Sequence, residues 1–304
     1  MNIPVFHDDQ HGTAIIAAAG LINALELTGR DLKTTKLVCN GAGAAAIACI
    51  ELIKAMGFSA ENVTLCDTKG VIYQGRTEGM NQWKSAHAVK TDDRTLAEAM
   101  KGADVVLGLS QKGAFSADMI RSMAANPIIF AMANPDPEIT PEEVAEIRGD
   151  AIMATGRSDY PNQINNVLCF PYMFRGALDV QATTINEDMK IAAVRAIAGL
   201  AREEVPDEVA AAYHGQRPSF GAQYIIPVPF DPRLIAAVPA AVAAAAMESG
   251  VAQKPIPDFA AYKRSLLARR DPIASTLEGL FGQVRANPKR VVFAEAEEAQ
   301  VLRA

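Results

Sequence analysis

A short segment near the start of the chain carries residue types suited to acid, base and metal chemistry. Residues 6–13 read Phe-His-Asp-Asp-Gln-His-Gly-Thr and place Asp8 and Asp9 side by side between two histidines. Adjacent carboxylates repel each other unless a cation relieves them, and oxygen ligands suit a hard divalent metal. The alternative is a helix N-terminus, where Asp9 caps and both acids suit the helix dipole. Zinc is disfavoured because His7 and His11 have no third nitrogen or sulfur ligand nearby.

A glycine-rich turn predicts a dinucleotide site. Gly41, Gly43 and Ala46 form the pattern Gly-x-Gly-x-x-Ala between a predicted strand at 36–40 and a predicted helix that runs to about Met56. Glycines permit a tight turn and let backbone N–H groups approach a pyrophosphate at the positive end of the helix. The structural alternative is that the glycines only allow close packing of the helix on the strand.

The end of the next predicted strand supplies a candidate ribose ligand. Residues 62–67 end at Asp67, 21 residues after Ala46. A carboxylate there can accept hydrogen bonds from the ribose hydroxyls and favours NAD, because it repels the 2′-phosphate of NADP. Thr68 and Lys69 follow at once and could bind or neutralise that phosphate. The sequence therefore leaves NAD and NADP open.

Asparagines follow two later strands. Asn134 lies in Ala-Asn-Pro-Asp-Pro, and Asn165 and Asn166 lie in Pro-Asn-Gln-Ile-Asn-Asn-Val. Their amides can hydrogen-bond a carboxylate or a hydroxyl, although asparagine beside proline also forms turns without any ligand. The three together favour a binding site more than any one of them does.

The elements that must position these residues alternate between strand and helix. Further strands are predicted at 104–109, 127–133 and 151–155, with helices at 13–27, 95–101, 117–124, 234–247 and 262–283. This alternation predicts an α/β fold with a doubly wound, mostly parallel sheet of Rossmann type and C-terminal helices. Such sheets bind ligands beyond the carboxyl ends of their strands, so the turns at 109–113, 133–137 and 156–160 are where a site is expected.

Composition excludes several classes of protein. The chain has 304 residues, of which 50% are hydrophobic, and this share predicts a sizeable core. The net charge of −6 argues against nucleic-acid or membrane binding.

Four cysteines without CxxC spacing indicate reduced thiols, and the start of the chain does not resemble a signal peptide, so a cytoplasmic location is expected. His87 and His214 are expected at the surface.

Four ordered motifs resemble those of malic enzymes: residues 4–14, 40–46, 127–135 and 154–167. The resemblance extends over residues 3–251 and is greatest to the bacterial form that is fused to a phosphotransacetylase-like domain. Residues 290–303 resemble the first strand and turn of that second domain. We therefore expect an NAD(P)-binding domain at 1–252, a linker and helix at 253–288, and the first strand of a truncated domain at 289–304.

The resemblance implies a reaction and roles for particular residues. Malic enzymes oxidise L-malate by hydride transfer to a nicotinamide and decarboxylate the product to pyruvate with Mg²⁺ or Mn²⁺. By motif, Asp9 resembles the metal ligand, and Asp8 resembles the carboxylate that supports the metal and pairs with a catalytic lysine. Gly41, Gly43, Ala46 and Asp67 match the cofactor loop. Asn134 and Asn166 resemble the malate-binding residues, with Asn165 beside the nicotinamide ribose.

The chain also departs from the family pattern. In malic enzymes a tyrosine acid, a lysine base, a substrate-binding arginine and further metal ligands lie upstream of the Phe-x-Asp-Asp motif, which begins here at Phe6. The chain therefore resembles the cofactor domain without its catalytic partner, and we expect little or no malate turnover and a homo-oligomer. The alternatives are a non-catalytic NAD(P)-binding or assembly module and, with less support, another Rossmann dehydrogenase.

Overall fold

The computed structural model of the chain describes residues 3–212, 217–229 and 231–269. The chain divides into two compact units, residues 1–257 and 258–304. All strands of the described ranges lie in the first unit. In the second unit, the described residues 258–269 contain one helix, α11 (Phe259–Ala268). The remainder of the predicted helix at 262–283 and the predicted strand at 289–304 lie outside the described residues.

The first unit is built on one six-stranded sheet. Its strands are β1 (Leu37–Asn40), β2 (Val63–Asp67), β3 (Gly70–Val71), β4 (Val105–Gly108), β5 (Ile128–Ala131) and β6 (Ile152–Thr155). The spatial order is β3-β2-β1-β4-β5-β6, and every pair is parallel except β2 with β3. Residues of β1, β4 and β5 are buried throughout, as expected of a parallel sheet covered on both faces. The predicted doubly wound, mostly parallel sheet is confirmed.

Strand register brings the predicted turns to one edge. Asn40 pairs with both Cys66 and Gly108, Gly108 pairs with Ala131, and Ala131 pairs with Thr155. The carboxyl ends of these strands are therefore level, and the turns that follow them adjoin one another. The strand order reverses between β1 and β4, which is where open α/β sheets form a crevice for ligands.

Ten helices of the described residues belong to the first unit: α1 (Thr13–Thr28), α2 (Ala44–Ala55), α3 (Gln82–Ala86), α4 (Leu96–Met100), α5 (Ala117–Ser122), α6 (Pro141–Ile147), α7 (Phe170–Asp179), α8 (Glu187–Arg202), α9 (Asp207–Ala212) and α10 (Leu234–Glu248). A π-helical turn, Asp8–Gly12, leads directly into α1. Helix α1 packs against α2 and α8, while α10 packs against α7 and α8.

The two most apolar helices, α1 and α10, are buried as predicted. In α1 the chain buries a row of alanine and isoleucine side chains and ends at Gly29, whose φ of 65° is the left-handed conformation that glycine adopts readily. Its one buried polar side chain is Asn23, which donates to Ala198 O and Ile225 O and accepts from Arg202 Nε. Because each polar atom of Asn23 is paired, its burial is tolerated.

The cysteines agree with their predicted state, whereas His87 does not lie where it is expected. All four cysteines are free and buried, in agreement with reduced thiols. The prediction that His87 lies at the surface is wrong: it is only 7% exposed, with Nδ1 3.0 Å from Lys54 Nζ. Burial, followed by the Lys54 charge, lowers the pKa of His87. His214 lies outside the described residues. Within the described ranges, every helix is too short or too polar to span a bilayer.

Candidate functional site

The glycine-rich turn joins β1 to α2 at the point where the strand order reverses. Gly41 has a φ of +125°, and a Cβ on this residue would lie 2.3 Å from the carbonyl oxygen of Leu109. Only glycine fits there. Gly43 precedes α2 with open space around it and no side-chain cap, so the first N–H groups of the helix face the crevice. Ala46 is buried within the first turn of α2 and does not contact the crevice.

A cavity of about 740 Å³ opens above this turn. Gly41, Gly43 and Asp67, three of the predicted cofactor residues, line it. The rest of the wall comes from the end of β1, the segments after β1, β2 and β4, helix α3 and the start of α4: Asn40, Ala42, Thr68, Lys69, Gly70, Lys84, Arg94, Thr95, Leu96, Leu109, Ser110, Gln111 and Ala114. The cavity has a polar lining and lies at the switch point of the sheet, which is the place between β1 and β4 where the strand order reverses. Both features suit the adenosine and pyrophosphate groups of a dinucleotide.

Two cations that no sequence motif indicates hold Asp67. Arg76 Nη2 lies 2.8 Å from both carboxylate oxygens, and Lys84 Nζ lies 2.7 Å from Oδ2. The Asp67 side chain is 8% exposed and that of Arg76 is 3% exposed. Burial by itself would raise the pKa of Asp67, but hydrogen bonds from Lys84, Arg76 and the Lys69 backbone hold this pKa below its ordinary value.

The cluster of Asp67, Arg76 and Lys84 removes the charge repulsion between Asp67 and a 2′-phosphate that would favour NAD. Arg76 and Lys84 stand 9 and 17 residues after Asp67, in the segment around β3 and α3 that the strand-helix pattern left unassigned. Two positive charges against one negative charge leave the cluster net positive. The carboxylate therefore does not present an uncompensated negative charge to a 2′-phosphate, and Lys69, Lys84 and Arg94 all line the same cavity.

A second cavity of about 190 Å³ adjoins the first. Asp9, Asn134, Asn165 and Asn166, which lie far apart in the sequence, all line it, as does Arg157. Leu109 lines both cavities and so forms part of the wall between them. The fold thus brings together the turn before α1 and the turns after β5 and β6. Amides, one carboxylate and one guanidinium form a suitable lining for a small hydroxy acid.

Asp8 lies beside this second cavity and not in its lining. Asn166 Nδ2 donates a hydrogen bond to Asp8 Oδ2, whereas Asp8 Oδ1 is buried and has no hydrogen-bond partner among the described residues. A Cβ on Gly12 would lie 2.4 Å from Oδ1, so glycine makes room for this carboxylate. Burial, and then the charge of Asp9, raise the pKa of Asp8.

The acidic segment offers oxygen ligands but an incomplete metal site. The described residues contain no group of three or more histidine, cysteine, aspartate or glutamate side chains placed to hold one ion. Asp9 lines the smaller cavity and offers carboxylate oxygens that suit a divalent cation as partial ligands, whereas Asp8 stays outside the lining. In the alternative interpretation of this segment, the side-chain cap by Asp9 is wrong, because neither the π-helical turn nor α1 has a side-chain cap. Both acids do lie in the first turn of the π-helical segment, as that alternative requires.

The fold and the glycine turn define the chain as a dinucleotide-binding domain of the Rossmann class. Residues 10–212 match the family model described as malic enzyme, NAD binding domain. The chain belongs to the malic enzyme family and carries its NAD(P)-binding domain.

Relatives and solved structures agree with this assignment. The chain is 77% identical to an NADP-dependent malic enzyme of Rhizobium meliloti (strain 1021) and 53% identical to an NAD-dependent malic enzyme of the same strain, each match covering 100% of this chain and 40% of the relative. The crystal structure of the Entamoeba histolytica malic enzyme superposes with a TM-score of 0.78 at 33% identity, covering 96% of this chain and 58% of that one. The chain thus spans about two-fifths of the length of these curated relatives.

Proposed function

We propose that this chain binds NADP and takes part in the oxidative decarboxylation of L-malate to pyruvate and CO₂, with Mg²⁺ or Mn²⁺ as the divalent metal. The observation that carries the proposal is the pair of adjoining cavities at the carboxyl edge of the sheet. One suits the adenosine and pyrophosphate groups of a dinucleotide, and the other suits a small hydroxy acid beside the nicotinamide. Family membership supports the same reaction.

The residues of the smaller cavity have distinct roles in this proposal. A bound nicotinamide would supply the hydride acceptor, and a divalent metal held in part by Asp9 would polarise the oxygen on the substrate carbon that gives up the hydride. Asn134 and Asn166 orient malate by donating hydrogen bonds to its oxygens, and Asn165 lies on the nicotinamide side. Asp9 supplies one metal ligand, and Asp8 holds the Asn166 amide in place through their hydrogen bond.

NADP is favoured over NAD by the charges around Asp67. The Asp67 carboxylate is neutralised by Arg76 and Lys84, which leave one positive charge in excess, and Arg94 is a further cation at the cavity wall. Lys69 also lines the cavity, but its ammonium pairs with Glu78 at 2.9 Å. The NADP dependence in the name of the 77% identical relative points the same way. Trp83, the single tryptophan, precedes Lys84 in α3 and provides a fluorescent reporter beside this cavity.

Titration of that fluorescence with NADP and NAD tests the proposal. We expect tighter binding of NADP, and a loss of that preference in Lys84→Ala. The matched control is Lys101→Ala, which removes an exposed lysine that does not line the cavity. Binding of neither nucleotide refutes the proposed function, and equal binding of both refutes the cofactor choice.

We further propose that the chain by itself binds nucleotide with little malate turnover. The smaller cavity contains a single carboxylate, Asp9, and the described residues have no complete set of metal ligands. Absorbance at 340 nm with malate, NADP and Mn²⁺ tests this, and sustained NADPH formation would contradict it. A non-catalytic nucleotide-binding module is the second candidate. Malate-dependent enhancement of Mn²⁺ binding, observed by electron paramagnetic resonance and lost in Asp9→Asn, favours the enzyme.

Self-association, location and domain limits complete the proposal. Phe170, Phe174 and Leu178 follow one face of α7, and Phe6 packs on Phe174 with a ring-centroid distance of 5.6 Å. Leu178 is 61% exposed at the end of this row, which supports a homo-oligomer formed by a second copy of the chain.

We place the protein in the cytoplasm because its buried thiols are reduced. The NAD(P)-binding domain is taken to comprise residues 1–252, with limited proteolysis in 253–258 as its test.

A further inference from the structure

A buried carboxylate lies behind both cavities. Glu138 follows β5 in the turn before α6, and its side chain is 0% exposed. Its Oε1 accepts hydrogen bonds from the Ser110 backbone N–H at 2.7 Å and the Ser110 hydroxyl at 3.0 Å. Its Oε2 accepts from the Ala133 backbone N–H at 3.1 Å. One side chain therefore joins the turn after β4 to the turn after β5.

Neighbouring residues are shaped around this carboxylate. A Cβ on Gly108, the last residue of β4, would lie 2.4 Å from Glu138 Cδ, so a larger residue there would displace the carboxylate. Asn40 at the end of β1 extends the network, because its Nδ2 donates to Ser110 Oγ at 2.9 Å. The carboxyl ends of β1, β4 and β5 are thus linked by side-chain hydrogen bonds at the switch point of the sheet.

The two linked turns belong to different cavities. Ser110 lines the larger cavity, and Asn134, next to Ala133, lines the smaller one. Leu109, one residue before Ser110, lines both. A dinucleotide with its adenosine half in the larger cavity must pass Leu109 to place its nicotinamide beside Asn134 and Asn165.

We propose that Glu138 is a positioning residue that sets the spacing of these two turns and so allows one dinucleotide to occupy both cavities. This inference rests on the proposed nucleotide-binding function. Glu138 lines neither cavity and acts through Ser110 and Ala133. Since a carboxylate accepts on both oxygens, it can satisfy both turns at once, whereas an amide offers one oxygen and one NH₂ group.

The substitution Glu138→Gln tests this role. If the amide oxygen keeps the two donors of Ser110, the NH₂ group faces the Ala133 N–H, and two donors then oppose each other. The damage should fall on the turn that carries Asn134. We expect affinity for NADP to fall at least about tenfold, with affinity for adenosine 2′,5′-bisphosphate, which lacks the nicotinamide half, changed less than about twofold. Both ligands are titrated by Trp83 fluorescence in the full chain.

Two further variants keep the test decisive. Glu138→Asp retains the charge but is one methylene shorter and cannot reach both turns, so we expect the same selective loss of NADP affinity. Glu143→Gln, in the exposed capping box of α6, is the matched control and should bind both ligands as the unaltered chain does. Unchanged NADP affinity in both Glu138 variants, or equal losses for the two ligands, would overturn the inference. Failure of the unaltered chain to bind either ligand would instead overturn the proposed function.

Discussion

Replacing the buried Arg76 tests most directly which contacts stabilise the segment between β2 and α3. The Arg76 guanidinium donates to both oxygens of Asp67 and to three backbone carbonyls, those of Gly70, Val71 and Glu78. The substitution Arg76→Met preserves much of the side-chain volume. It leaves Asp67 with Lys84 as its one cationic partner among the described residues, and it leaves the three carbonyls without this donor. The chain around β3 should loosen as a result.

The expected magnitude follows from the burial of this pair. Removing one partner of a buried ion pair costs about 3–5 kcal/mol. Because Lys84 remains 2.7 Å from Asp67, we take the lower end, about 3 kcal/mol, which is roughly a hundredfold in the unfolding constant. For a unit of this size the melting temperature should fall by roughly 6–12 °C.

Urea and thermal unfolding followed by Trp83 fluorescence measure this effect. Arg121→Met is the matched control, because Arg121 pairs with Asp118 at an exposed position and should leave stability unchanged. Equal melting temperatures for Arg76→Met and Arg121→Met would refute the reasoning.

The remaining predictions concern pH, the glycine turn, the thiols and assembly. The Asp67 pKa is depressed in the folded state, so the stabilisation from its ion pairs is full above its unfolded pKa of about 3.9 and is lost as the pH falls through the folded value; the stability gap to Arg76→Met should narrow below about pH 4 in acid titrations. Gly41→Ala should lower both the melting temperature and nucleotide affinity, because its Cβ would meet Leu109, whereas Gly43→Ala should weaken nucleotide binding with the melting temperature nearly unchanged, and the reverse pattern would contradict the structure. Burial raises the pKa of Cys49 and of Cys66 to about 12, so thiol titration with a disulfide reagent should detect almost no reactive cysteine until the chain is unfolded. Leu178→Glu should shift sedimentation toward the monomer, and an unaltered sedimentation coefficient would argue against α7 as the contact face.

Local sequence patterns were sufficient for the sheet and for the glycine turn. Strand and helix alternation predicted β1, β2, β4, β5 and β6, because each strand is a short apolar run that ends in a polar or glycine-rich turn. The tight turn at Gly41 was predictable for the same reason, since the turn and the strand that it follows are neighbours in sequence. The short strand β3 and helix α3 carry no such periodic pattern, and the sequence left them unassigned.

Long-range contacts decided the rest of the site. Asp67 was predicted as a ribose ligand from its spacing, but its partners Arg76 and Lys84 reach it only because β3 turns back against β2. His87 shows the same limit, because its burial beside Lys54 depends on how separate segments pack.

Residue periodicity and a local glycine turn specify a dinucleotide-binding sheet, and both are visible in the amino-acid sequence. That Asp9, Asn134, Asn165 and Asn166 line one cavity, and that Glu138 joins the turns behind it, depends on the folded arrangement of the strands. The physical reason is that parallel strands bring their carboxyl ends to one edge while long crossover segments separate them along the chain. The ion pairs and hydrogen bonds at that edge therefore form between residues that are distant in sequence, and no local pattern predicts which residues pair.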